Sequence, residues 1–213
     1  MKNLLLAICV LLLIAVPQFA QAQTQAFDFL GQADLPALEG GSLSMYSVIQ
    51  EGSGIVVPPI PLDFDNYDYT VVITDLVLDT DGTVQYYSGG TVTIYEIANG
   101  AADYANLSTF TTGTAILVGD LTTMTRSDVT QSFPPFLRAI TMNGELDWTG
   151  GTRVDDMAPP DQVGWHLFAS GNQDAANVEP GFDEQWDGKI ELDRLIVPAP
   201  DKSMGNFKAG FDQ

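Results

Sequence analysis

The chain has 213 residues, with eight basic side chains against 28 acidic ones and a formal charge of −20. So acidic a protein repels nucleic acid, whose binding rests on Lys and Arg meeting phosphate, and it repels anionic membrane surfaces for the same reason. An apolar content of 45%, with three Trp, seven Tyr and eleven Phe, excludes a disordered chain and suits one domain of ordinary size.

The first element is a leader. Lys2 gives a positive start, Leu4 to Val16 form an apolar run, and Pro17 breaks it before Ala20-Gln21-Ala22, an A-x-A cleavage pattern. Residues 1–22 read as a secretory signal peptide, which places the protein outside the cell or in the periplasm. Thirteen apolar residues are too few to span a bilayer, and no later stretch approaches the ~20 needed, so no membrane span is expected. Cleavage removes Lys2 and the single cysteine, Cys9, leaving seven basic residues against 28 acidic ones. An exported domain without cysteine has no disulfide to constrain its unfolded state, and must rely on packing or on packing plus metal ions.

Strand signals dominate the remainder. Leu43 to Ile49 is the first predicted strand. Gly52 to Pro61, with Pro58, Pro59 and Pro61, cannot lie inside a sheet because proline lacks a ladder donor, so it is expected to cross between sheets or to edge one. Tyr69 to Leu78 is rich in β-branched residues and ends at the turn Asp79-Thr-Asp81-Gly82. Thr83 to Tyr87 follows, and Ser88-Gly89-Gly90 reads as a turn into Thr91 to Ile97, where Val92 and Ile94 share one face and Thr91 and Thr93 the other. A short helical turn is predicted around Ala101 to Leu107. Further strands are expected at Thr114 to Leu121, Arg138 to Trp148, Val163 to Ala169 and Lys189 to Val197. Short strands with turns about every ten residues predict an all-β fold, an antiparallel β-sandwich or jelly-roll-like single domain over residues 23–197, followed by an extended tail at 198–213.

Several of these stretches also carry a resemblance. Tyr-Ser-Gly-Gly-Thr-Val-Thr-Ile-Tyr-Glu at 87–96, Ala102-Asp103-Tyr104-Ala105-Asn106, Trp148-Thr-Gly-Gly-Thr and Val178-Glu-Pro-Gly-Phe-Asp-Glu-Gln-Trp-Asp-Gly resemble exported bacterial proteins, many of them with a PEP-CTERM sorting tail. The likeness covers most of Tyr69 to Leu192 and implies an extracellular β-rich domain; it supplies no catalytic residues. No Pro-Glu-Pro motif follows Asp201, so anchoring by that route is not expected.

Chemistry is constrained by what is missing. A serine nucleophile needs an oriented base, yet His166 is the lone histidine and sits in a strand pattern between Trp165 and Leu167. With no mature cysteine, the usual zinc sites have too few ligands. Carboxylates remain, and two of them suffice for glycoside hydrolysis. Glu179 and Glu184 beside Trp186 are the pair to choose, which makes a carboxylate-dependent glycan hydrolase the rival reading.

Calcium takes six to eight oxygens, and clusters of acids supply them. Asp63, Asp65, Asn66 and Asp68 form the densest group, Asp79 and Asp81 before Gly82 the second, and Asp183, Glu184 and Asp187 the third. None follows an EF-hand: counted from Asp79, the sixth position is Val84 and the twelfth Gly90. The bland alternative is that these acids cap turns. Trp148, Trp165 and Trp186 are candidates for a sugar-stacking platform, with core packing as the plainer account. Together these residues predict a non-enzymatic exported protein, structural or ligand-binding, whose partner is a polysaccharide or another matrix component and whose candidate cofactor is calcium.

Overall fold

The computed structural model describes residues 24–51, 56–130 and 138–192. They contain β1 (Thr24–Asp34), β2 (Ser42–Ile49), β3 (Val56–Val57), β4 (Tyr67–Thr80), β5 (Val84–Ala98), β6 (Thr114–Thr130), β7 (Arg138–Gly150), β8 (Trp165–Asn172) and β9 (Glu184–Leu192). Apart from β3, each strand pairs antiparallel with the next, and β1 pairs on one side with β9 and on the other with β2. That last pairing closes the sheet. The result is an eight-stranded up-and-down barrel, with β3 a short parallel stub on the start of β1.

The closure overturns the expected sandwich or jelly roll. Hairpins with half-buried strands look alike in both folds; what separates them is whether the first strand joins the last, and β1 escaped the pattern. Its inward positions run Phe27, Phe29, Gly31, Ala33, fading from large to small. Gly31 is small for a reason, since a Cβ there would collide with Ser47 of β2.

Other expectations are corrected locally. Ser88-Gly89-Gly90 is not a turn: β5 runs through it, with Gly89 (φ +72°) and Asp75 of β4 (φ +60°) marking a kink where the two strands bend together. The helical turn expected at 101–107 is a tight turn closed by Asn106 N–H to Asp103 O (2.9 Å), and the 3-10 segment lies later, at Leu107–Thr111. The last strand begins earlier, at Glu184. The leader, the tail at 198–213 and part of the proline-rich crossing lie outside the described residues.

An eight-stranded barrel is just wide enough for side chains to fill its interior. The lower end, which carries the loops 58–66, 99–113 and 151–164, is filled with rings. Phe27 stacks on Trp165 and meets Trp148 edge-on, each at 6.1 Å between centroids. Ile60 and Met157 from the loops close that end, and Asp63 N–H donates to the Tyr69 hydroxyl (2.8 Å). Most outward positions on β6 to β9 are polar, among them Asp120, Thr125, Glu145, Ser170 and Asp187, with Val129 and Phe168 as exposed apolar exceptions. Apolar inside and polar outside inverts the alternation of a membrane-spanning barrel. Among the described residues no helix is long and apolar enough to cross a membrane.

Part of the exterior has its own cover. Loops 99–113 and 173–183 fold over the outside of β1, β2 and β4, where Tyr46, Tyr104, Phe110 and Phe182 pack ring against ring at 4.9–6.4 Å. Gln32 pins the second loop, its amide donating to Asn177 O (3.1 Å) and its carbonyl accepting from Glu179 N–H (3.2 Å). The outer face of β7, β8 and β9 has no such cover among the described residues.

Candidate functional site

Charged side chains meet one another in the upper interior and line a groove on the uncovered outer face. Inside, Arg126 and Glu184 are buried, at 5% and 0% exposure. Period-2 alternation puts Arg126 inward with Met124, and Glu184 inward with Trp186 and Ile190. Arg126 holds Glu184 through both Nε (3.1 Å) and Nη2. Gln173 Nε2 (2.7 Å) and Trp186 Nε1 (2.9 Å) donate to the same carboxylate. Four donors occupy the two oxygens, about as many as a carboxylate accepts. The other side of Arg126 is also engaged: Nη1 donates to Gln85 Oε1 (3.0 Å), which also accepts from the Tyr87 hydroxyl (3.0 Å). Arg138 closes the cluster at the rim, donating to Asp128 and Gln173.

Electrostatics follow that geometry. The bonds from Arg138 hold the Asp128 carboxyl below its usual range. Burial pushes the Tyr87 hydroxyl up to about 12. With four donors on its two oxygens, Glu184 has its acceptor capacity taken up inside the barrel, which suits a structural tie between β6 and β9. Glu179 lies outside the barrel on the exposed covering loop, so the two do not face each other across a cleft.

The tryptophans are interior too. Trp148, Trp165 and Trp186 are 2%, 0% and 0% exposed, and they offer no face to a ligand outside. Trp165 Nε1 donates to Asp161 O (2.7 Å) and Trp186 to Glu184, while Trp148 Nε1 has no partner among the described residues. Their strand positions place them on the inward face, which is why the plainer account of them holds.

The acids proposed for calcium are dispersed. Asp63 accepts from the Asn66 amide (2.8 Å) in the lower loops, with Asp65 exposed beside it. Asp68 caps Gly100 N–H (2.6 Å). Asp79 and Asp81 lie at the opposite, upper end, where Asp81 accepts from the Gln85 amide (2.8 Å). In the third group, Asp183 caps Leu35 N–H (2.8 Å), Glu184 points inward and Asp187 outward. Among the described residues, no three His, Cys, Asp or Glu side chains converge as a metal site would need.

The uncovered outer face holds a groove of about 420 Å³, lined by Asp28, Thr141, Asn143, Phe168, Ser170, Asp187 and Lys189 over a floor of Met142, Ala169 and Gly188. Strand register builds it in two rows. Asn143, Phe168, Lys189 and Asp28 are successive cross-strand partners, as are Thr141, Ser170 and Asp187. Phe168 is 37% exposed on an otherwise polar face, and its ring stacks on His166 at 5.8 Å. Beyond His166 a second hollow of about 280 Å³ is bordered by Thr122, Glu145, Asp147 and Gly164. Burial and the charge of Asp187 raise the Asp28 carboxyl above its usual range, while Lys189 pulls the other way.

The sequence reading missed Phe168. Its signal was present: Trp165, Leu167 and Ala169 alternate inward, so Phe168 is an aromatic out of phase. No family model, curated protein or solved structure matches this chain.

Proposed function

We propose that this protein is an exported, non-enzymatic binding module that takes a saccharide in the outer groove across β7, β8, β9 and β1. The observation that carries the reading is Phe168, an exposed ring set among an amide, two hydroxyls and two carboxylates. Sugars are recognised by such a ring stacking on their C–H face while planar polar groups meet their hydroxyls. The interior chemistry supports it by elimination, since Glu184 and Arg126 are fully engaged with each other and their neighbours. Closure of the barrel argues against a purely structural role through strand addition, because its eight strands leave no free edge to template assembly. The leader-like first 22 residues and the resemblance to exported bacterial domains agree with a place outside the cytoplasm.

The test is a pull-down on a panel of insoluble polysaccharides with the wild-type chain and Phe168→Ala. Retention by at least one polymer, lost in the variant, is the expected outcome. Failure across a broad panel, or retention indifferent to Phe168, would retire the reading.

A further inference from the structure

Resting on the groove reading, we infer that the preferred ligand is an amine-bearing saccharide, such as a polymer of glucosamine units, with an ammonium seated between Asp28 and Asp187 and the sugar ring against Phe168. Three observations carry this.

The first is the state of the cations. Every described Lys and Arg is committed to an acid of the same chain: Arg126 to Glu184, Arg138 to Asp128, Arg153 to Asp156, and Lys189 to Glu191 at 2.6 Å. The described surface therefore offers no uncommitted cation to an anionic glycan, and a chain of charge −20 repels one at a distance.

The second is the state of the two acids. Among the described residues no basic side chain forms a close ion pair with Asp28 or Asp187: Lys189, in the row of Asp28, acts on that carboxyl only through its charge, and its ammonium is held by Glu191. Two carboxylates sharing a groove repel each other, and an incoming cation relieves that repulsion. The contrast with the upper interior is direct: there each acid has its cation.

The third is the ring beside them. A cation above or beside an aromatic face is attracted by the ring quadrupole, and the effect adds to that of the acids. Asn143, Thr141 and Ser170 supply donors and acceptors for hydroxyls, which favours a sugar over a basic peptide.

The experiment is calorimetric titration of the full chain with a glucosamine tetramer and, separately, with its N-acetylated counterpart. A preference of about tenfold for the amine form is expected for one ammonium against two partly exposed carboxylates. Asp187→Asn or Asp28→Asn should abolish the preference, bringing the two affinities to within about twofold of each other, whereas Phe168→Ala should weaken binding of both tetramers and keep their ratio. Equal affinity for the two tetramers, or a preference insensitive to both asparagine variants, overturns the amine inference while leaving the groove intact. Absence of binding by either tetramer, in a protein that does bind another polysaccharide through Phe168, also overturns it. If polylysine binds through Asp187 and neither tetramer binds, the partner is a basic peptide and the saccharide assignment fails.

Discussion

The upper interior of the barrel and its outer groove use the same chemistry to opposite ends. Inside, Glu184 collects four donors from Arg126, Gln173 and Trp186, and nothing is left over. Outside, Asp28 and Asp187 share a groove with Phe168, and the nearby Lys189 is engaged elsewhere. A closed network stabilises a fold, whereas an open one at the surface is available to a ligand. Burial alone does not make a binding site; the proposed one rests instead on acids that are accessible and lack a close cation.

The largest expected effect breaks the closed half of that comparison. Arg126→Met strands Glu184 as an unpaired buried charge, and the barrel should lose about 3–5 kcal/mol of stability. Denaturant titration measures it, and replacing both partners with apolar residues should recover most of the loss. Next comes Phe168→Ala, which should weaken saccharide binding by at least about tenfold while shifting stability by no more than about 1 kcal/mol, as befits a partly exposed side chain. Binding and melting curves together separate the two halves: one variant loses fold, the other ligand.

Titration sharpens the contrast with smaller effects. Asp34, beside Asp183 on the covering loop, has its carboxyl raised by burial and by Asp183. A raised carboxyl favours folding fully only below its unfolded value near 3.8, and that contribution is lost as pH rises through the folded value. Asp34→Asn should therefore stabilise the protein slightly at pH 7 and leave it unchanged below about pH 3. Asp128 has the opposite sign, because Arg138 lowers its carboxyl. Its contribution is present above the unfolded value and lost on acidification through the folded one, so Asp128→Asn should lower the melting temperature at pH 7 and have little effect in acid. Melting temperatures across pH 2–8 check both.

Much of the fold was legible where alternation was strong. Val92 and Ile94 against Thr91 and Thr93, and the β-branched run from Tyr69, announce strands because each places a clean apolar face on one side. Closure was not legible, since it depends on β1, whose inward face ends in Gly31 and Ala33 and whose second partner, β9, is distant in sequence. Glycine misled in the other direction at Ser88-Gly89-Gly90, where a kink within one strand carries the composition of a turn.

The site was legible only in part. Asp187 stood out as an acid, but its sequence neighbours Asp183 and Glu184 point elsewhere, to a cap and to the interior. Clustering along the chain does not imply clustering in space when alternate side chains face opposite sides of a sheet. The tryptophans drew attention by size, yet their phase within β7, β8 and β9 sends them inward. Phe168, with the opposite phase, is the ring that faces out.

The most direct test of the groove is to map amide chemical shifts in a nitrogen-labelled full chain as a glucosamine oligomer is added. Shifts concentrated at Thr141, Asn143, Phe168, Ser170 and Asp187, with Gln85, Arg126 and Glu184 unmoved, are the expected result. Shifts centred on Arg126 and Glu184, with the outer face silent, would place the ligand inside the barrel and contradict the assignment.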